Sequence, residues 1–597
     1  MNTIKERIAA LRRVMEREGL GGFVFPSTDA HNSEYVADHW KGREWISGFN
    51  GSAGTVVVTM NAAALWTDSR YFLAAEEQLK DTGIELMRLK VEGTPTLTEW
   101  ISRQMREEKN RVLGLDGWVN SAQEVWGLQA EMKGYGVKVR TDFDPLAEIW
   151  TARPSVPQAK VELQPLEFAG ETTESKLSRI RESLQAQDVQ ALLVSALDDI
   201  AWTLNLRGSD VYCNPVFVSY LVIEAEEAIL FVDEAKLDAT VRQYLDAKGI
   251  AVQPYAAVAD YLRHHHRPGA LQLDTQETCH QLATCALDGS IVKFAPSPIP
   301  AMKAVKNEAE IAGFHRAMQR DGVAMVRFLR WLKPAVEAGG QTEISLDKKL
   351  TALRAEQDLF RGISFDTIAA YEAHGAIVHY EATPETDIPV EPHGLILIDS
   401  GAQYQDGTTD ITRTIALGPV SEEQRRVYTL VLKGHIQLEL AKFPDGCSGT
   451  QIDALAREPL WRAGLNFLHG TGHGVGSYLN VHEGPHQVRM EYKPAPLHAG
   501  MTITDEPGIY LSGRFGVRIE NTLLIKDYME TELGKFLQME PLTLCPIDLA
   551  PVDFSLLSAE EKQWLNDYHQ TVYDQLSPSL EGADLEWLKE NCKAITD

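Results

Sequence analysis

"GLILIDSGAQYQDGTTDITRTIAL", residues 394–417, decides how this chain is to be read. "LILID" is a run of large apolar residues that reads as a buried strand, and it ends on a carboxylate, Asp399. "TTDITRTI" alternates as a half-buried strand does, and carries a second carboxylate, Asp410. Asp406-Gly407 between them is a favoured two-residue turn. A hairpin closed there puts both aspartates on one face. Its register sets them about four residues out of step, roughly 13 Å along the ladder. A shared ion then requires a wider or bulged connection, which Gly401 and Gly407 permit. A strand-end cap accounts for Asp399 alone. A second aspartate on the facing strand weakens that reading, because two like charges close together need a counter-ion.

The same design recurs in "AGMTITDEPGIYLSGRFGVRIENTLLI", residues 499–525. Two strands each carry a carboxylate, Glu506 and Glu520. Pro507 keeps Glu506 extended, since a residue before proline is pushed out of the α region. Glu520 sits inside an otherwise apolar run, so it needs a partner. Arg518, two residues earlier and on the same strand face, is one candidate; a metal ion is the other.

Between these segments lies "LHGTGHGVG", residues 468–476. As an extended segment it puts Gly470, Gly472, Gly474 and Gly476 on one face and His469, Thr471 and His473 on the other. A bare face admits close approach of a backbone, either a neighbouring strand or a substrate. A phosphate loop is excluded: the stretch has no GxxxxGK[ST], no GxGxxG and no lysine. His482 follows in "NVHEGP".

Asp399, Asp410, His473, Glu506 and Glu520 together form a hard, oxygen-rich donor set. Four negative charges suit two divalent cations, with manganese expected and cobalt or zinc able to substitute. Such a site with spare histidines points to hydrolysis by a bridging water, the histidines moving protons or holding an oxyanion.

The rest of the chain bounds this reading. At 597 residues it is too long for one core. Lys plus Arg number 57 against 85 Asp plus Glu, a net charge of −28, which argues against nucleic acid and anionic membrane as partners. No apolar run is long enough to span a bilayer. The N-terminus reads as an amphipathic helix, with Ile4, Ile8, Leu11 and Met15 on one side, and not as a secretory signal, so the expected location is the cytoplasm. Six cysteines without a CxxC pair read as free thiols. The first half holds a weak repeat: "FVFPSTDAHNSEY", "SGFNGSAGTVVVT" and "AALWTDSRYF" are echoed by "ALLVSALDDIAWTLNL", "PVFVSYLVI" and "EAILFVDEAKL". Each copy runs strand, polar segment, helix, strand, strand, which implies two copies of one α/β domain. Proline-rich breaks at 151–167 and 293–310 set domains at 1–154, 155–301 and 302–597.

At "GAIVHY", "IDSGAQYQDGTTDITRT", "VLKGHI", "LHGTGHGVGSYLNVHEGP" and "DEPGIY…FGVRIEN" the sequence resembles the pita-bread metallopeptidases, peptidase family M24. Within that family it is most similar to the long, three-domain, cytosolic Xaa-Pro aminopeptidases, which "FNGSAGT", "WTDSRYF" and "EPLTLCPIDL…WLNDYH" also resemble. The resemblance implies two creatinase-like N-terminal α/β domains followed by a pita-bread α+β catalytic domain, and a homodimer. It implies hydrolysis of the N-terminal Xaa-Pro bond of peptides with proline at position two. Asp399 would bind one metal, Asp410 and Glu520 both, and His473 would complete one shell. Glu506 would be a ligand and the general base. His379 and His482 would contact substrate and relay protons, and His469 would line the pocket. Tyr510 and Arg518 would support metal or substrate, and Arg70 would reach substrate from the first domain. Ser69 stands where a glycine is expected beside it. Two alternatives remain: a prolidase acting on dipeptides, and a non-catalytic peptide-binding module on the same fold.

Overall fold

The two copies of the repeat fold into two six-stranded sheets of one design. The computed structural model describes residues 3–106, 108–265 and 267–595. In the first sheet, β1 (Gly22–Phe25), β2 (Thr55–Thr59), β3 (Ala63–Thr67), β4 (Glu85–Arg88), β5 (Val112–Leu115) and β6 (Lys138–Arg140) lie in the order β4-β3-β2-β1-β5-β6. In the second, β7 (Ala191–Val194), β8 (Ser219–Glu224), β9 (Ala228–Val232), β10 (Ile250–Gln253), β11 (Leu271–Leu273) and β12 (Val292–Phe294) lie in the order β10-β9-β8-β7-β11-β12. The pairings match strand for strand: antiparallel where β1-β2-β3 and β7-β8-β9 meander, parallel elsewhere. The helix predicted at the N-terminus, α1 (Ile4–Glu18), buries Ile8, Leu11 and Met15 against the first sheet's core. Residues 153–161, in the first proline-rich break, form neither helix nor strand.

The two copies are joined more closely than separate domains would be. They form one compact unit, residues up to Gln164 with Glu171–Ile299. Hydrogen bonds between them explain it: Tyr220 Oη donates to the Ala30 carbonyl at 2.9 Å, and the buried His31 ring lies 2.9 Å from both the Ser195 carbonyl and Tyr255 Oη.

The second unit holds Pro165–Gly170 and everything from Pro300 onward. Its long helix α2 (Glu308–Glu337) begins at Asn307, whose side chain accepts from the Ala309 and Glu310 amides while Glu310 caps Asn307 in return. β13 (Leu395–Ser400), β14 (Ala402–Tyr404), β15 (Gly407–Thr408) and β16 (Ile411–Ala416) make the first carboxylate hairpin. After α3 (Glu422–Glu439) come β17 (Gly472–Gly474), β18 (Glu483–Val488), β19 (Thr502–Asp505), β20 (Gly508–Leu511) and β21 (Phe515–Arg518). β22 (Asn521–Thr531), β23 (Gly534–Pro541) and α4 (Ala559–Leu576) follow, and a last helix spans Gly582–Asn591. All six cysteines are free, and no helix among the described residues is long and apolar enough to cross a membrane.

Candidate metal centre

Register decides how far apart the aspartates stand. β13 pairs with β16 so that Asp399 faces Thr412, and β14 pairs with β15 so that Tyr404 faces Gly407. The two stretches share one register, which continues to bring Asp410 opposite Gly401. The turn is therefore Gln405-Asp406 and not Asp406-Gly407. Asp406 is held down by Arg320 and Arg316 of α2, at 2.8 and 3.0 Å, and a side chain on Gly407 would press on Phe314 and Ala317. The aspartates end two residues out of step instead of four. They are diagonal neighbours on one face, about 7–8 Å between backbones and within side-chain reach.

The glutamates are closer still. β19 and β22 pair Asp505 with Asn521, and β20 and β21 pair Gly508 with Arg518. Carried through Pro507, this register sets Glu506 directly opposite Glu520. Thr412 joins the two hairpins: its hydroxyl donates to Glu520 Oε2 at 2.7 Å, and its carbonyl accepts from the Glu520 amide at 3.1 Å. Arg518 is not the partner of Glu520. Its Nη2 and Nε lie 2.7 and 3.1 Å from Asp399 Oδ2.

The glycine face of 470–476 serves a neighbouring strand. A side chain on Gly472 would overlap the Thr504 carbonyl of β19, and one on Gly474 would overlap the Glu483 carbonyl and the His486 ring. With that face bare, the His473 amide reaches Thr504 Oγ1 at 3.0 Å. His473 Nδ1 donates to the Gly474 carbonyl at 2.8 Å, which turns Nε2 toward Asp410 and Glu506, each 3.4 Å away.

Three groups of donors, each within 4.8 Å, share members: Asp399-Asp410-Glu520, His473-Glu506-Glu520 and Asp410-His473-His482. All five residues expected as ligands are thus in one cluster, with His482 beside it, its ring edge-on to His473 at 4.4 Å. His469 is linked through hydroxyl and guanidinium. Its Nδ1 donates to the Gly470 carbonyl at 2.7 Å, so Nε2 accepts from Tyr510 Oη at 2.8 Å. That hydroxyl accepts in turn from Arg518 Nη1 at 2.7 Å. His379 is half-buried and lies outside the three groups. Arg70 belongs to the other unit, where it grips Asp68 by two bonds of 2.8 Å.

Crowding is visible in the acidities. Burial raises Asp399, against the pull of Arg518. Burial pushes Glu506 up to about 7, only partly offset by His473. Burial and then the charges of Asp410 and Glu506 hold Glu520 well above the carboxylate range. Burial opposes charge on His473, but its contact with Asp410 and the charge of Glu506 prevail and raise it to about 9. Asp399 Oδ1 is buried with no hydrogen-bond partner among the described residues. Four carboxylates, one imidazole and an orphaned buried oxygen fit hard divalent cations.

Residues 312–527 match Metallopeptidase family M24, and 535–595 match its C-terminal region. Residues 7–149 and 152–310 each match a Creatinase/Prolidase N-terminal domain. A probable Xaa-Pro aminopeptidase P of Laccaria bicolor is 40% identical over 99% of this chain and 93% of its own. Xaa-Pro aminopeptidase 1 of Dictyostelium discoideum is 38% identical over 99% and 97%. The chain belongs to metallopeptidase family M24. A crystal structure of the X-prolyl aminopeptidase of Caenorhabditis elegans, described as a cytosolic enzyme with a di-nuclear active site, superposes on this M24 chain with a TM-score of 0.94. It is 36% identical and covers 100% of both chains.

Some residues that build this M24 site went unnoticed in the sequence. Thr412 is a threonine in an alternating strand, with nothing to mark it. Behind the glutamates a buried group joins His435 and Glu439 of α3 to Asp505, with His435 3.2 Å from Glu439 and 3.1 Å from Asp505. The i, i+4 spacing of His435 and Glu439 on one helix face was its available signal. Arg413 is buried in the middle of a strand, and an arginine so placed must find acceptors.

Proposed function

We propose that this chain is a metal-dependent aminopeptidase that hydrolyses the bond between the first residue of a peptide and a proline at position two. The observation that carries the reading is the convergence of Asp399, Asp410, His473, Glu506 and Glu520, in a chain alike from end to end to proteins named for this activity. A bond to proline lacks an N–H and is constrained by the ring, which calls for a dedicated site.

In this reading the five side chains would hold two divalent cations, manganese by preference with cobalt or zinc as substitutes, and the chemistry these would supply is an acidified water and a polarised scissile carbonyl. Glu506 Oε1 takes the proton from the attacking water. His482 and His379 hold the tetrahedral oxyanion and return a proton to the proline nitrogen. The Arg518 guanidinium and Tyr510 hydroxyl orient Asp399 and His469, and Arg70 meets peptides longer than a dipeptide. The enzyme acts in the cytoplasm as a homodimer on peptides.

Turnover of an Xaa-Pro-Xaa tripeptide against an Xaa-Pro dipeptide, with and without Mn²⁺, tests the reading. Tripeptide cleavage that chelation abolishes and Mn²⁺ restores is expected. Cleavage of the dipeptide alone would make the protein a prolidase. Binding without turnover in the metal-loaded protein would leave a peptide-binding module.

A further inference from the structure

The two opposed glutamates are supported from a distant part of the chain. Arg413, on β16 next to Thr412, points away from the aspartates, and its buried guanidinium is spread over acceptors from two regions. Nη1 donates to the Glu520 carbonyl at 2.6 Å and the Thr412 carbonyl at 3.0 Å. Nη2 is shared among Asn521 Oδ1 at 2.8 Å, the Cys545 carbonyl at 2.8 Å and Tyr568 Oη at 2.9 Å, and Nε reaches the Pro546 carbonyl at 3.2 Å. Tyr568, on α4, stacks on Trp564 with centroids 5.2 Å apart and donates to the Thr543 carbonyl at 2.9 Å. Asn521 is held from its other end, where Nδ2 donates to Glu439 at 2.9 Å. One cation thus ties Glu520 and its neighbour Asn521 to residues 545, 546 and 568, all within the C-terminal region of the family.

We propose that this C-terminal region is a brace for the metal centre: through Tyr568 and Arg413 it fixes the position of the Glu520 strand and so sets how tightly the site holds its cations. The proposal rests on Glu506 and Glu520 being ligands. Tyr568 and Arg413 are positioning residues, since neither touches a reacting atom. Nη2 has two protons for three acceptors, so without the Tyr568 hydroxyl the planar guanidinium settles toward Asn521 and Cys545, and the Nη1 that holds the Glu520 carbonyl shifts with it. Partners one step behind a metal ligand are typically worth about 10–100-fold in metal affinity.

The test is Tyr568→Phe, which keeps the ring and its stack and removes only the hydroxyl. Chelated protein is titrated with Mn²⁺ alone in buffers of defined free ion, and bound metal is counted beside the melting temperature. Wild type is expected to take up two ions per chain. Tyr568→Phe should need at least about tenfold more free Mn²⁺ for one of them, with kcat near wild type once saturated. Tyr573→Phe, on the same helix but outside the set of groups bonded to Arg413, should keep the wild-type midpoint even where it lowers the melting temperature. A Tyr568→Phe midpoint equal to wild type overturns the brace, whatever happens to stability. Should that variant not fold, Arg413→Lys decides in the same way. Wild type that takes up no Mn²⁺ overturns the ligand reading itself, which is a different failure.

Discussion

The site is built from two hairpins that hold their carboxylates in different ways. In the aspartate hairpin the pair is diagonal, and one member takes a cation from the other hairpin, Arg518 on Asp399. In the glutamate hairpin the pair is face to face, and no arginine among the described residues bonds to either carboxylate. Glu520 accepts from the Thr412 hydroxyl, and Glu506 has a long contact with Thr504 and the approach of His473. Of the four carboxylates only Asp399 is paired with an arginine, and by one oxygen; the rest of the site depends on His473 and on what it binds. A charge cluster that were only structural would be balanced throughout, as Asp406 is by Arg316 and Arg320.

The largest effect should come where the hairpins meet. His473 is 3.4 Å from a carboxylate of each, so His473→Ala should bind fewer than two metals per chain and lose activity. His482→Ala and His379→Ala should keep both metals and the fold while kcat falls about 10²–10⁴-fold. Metal stoichiometry measured beside kcat separates the cases. A His482→Ala protein that sheds metal would move that residue into the ligand set.

A smaller effect shows in the pH dependence of stability. Glu506 and His473 lie at about 7 and 9 in the folded protein, above their ordinary 4.5 and 6.5. A group raised by folding stabilises below its ordinary value and loses that contribution as pH climbs through the raised one, at about 1.4 kcal/mol for each tenfold gain in proton affinity. The chelated protein should therefore lose thermal stability from about pH 5 to 9. With Mn²⁺ the slope should reverse, because deprotonated ligands bind the ion better. Melting curves across that range, with and without Mn²⁺, are the measurement; parallel curves would mean that the glutamate pair does not rely on a cation.

The smallest effect lies outside both hairpins. Arg70→Ala should leave metal content unchanged and weaken turnover of peptides longer than a dipeptide by about tenfold, the worth of one hydrogen bond to a charged group. Unchanged kinetics across a series of peptide lengths would remove Arg70 from the site.

How much of this could be read from the sequence depended on range. The five donors, the two hairpins and the repeat were legible because alternation and apolar runs report on local backbone. Register was not: the tighter turn follows from Arg316 and Arg320, some ninety residues away on α2, which capture Asp406. Nor was the role of Arg518, because a residue two positions from Glu520 on the same strand face is the obvious partner until the other hairpin is folded against it. The tie from Arg413 to Tyr568 spans 155 residues and has no local signal at all.

The glycines that clear one side of β17 carry a consequence for precision. Where two strands meet through side chains, each contact can give a little, and small errors are absorbed along the way. At Gly472 main chain rests on the main chain of β19 with nothing compressible between them. His473 therefore inherits its position from the polypeptide backbone itself, like a part machined against a datum surface. Retuning this site by exchanging residues along that strand is closed off; any adjustment has to come from the strands that face it.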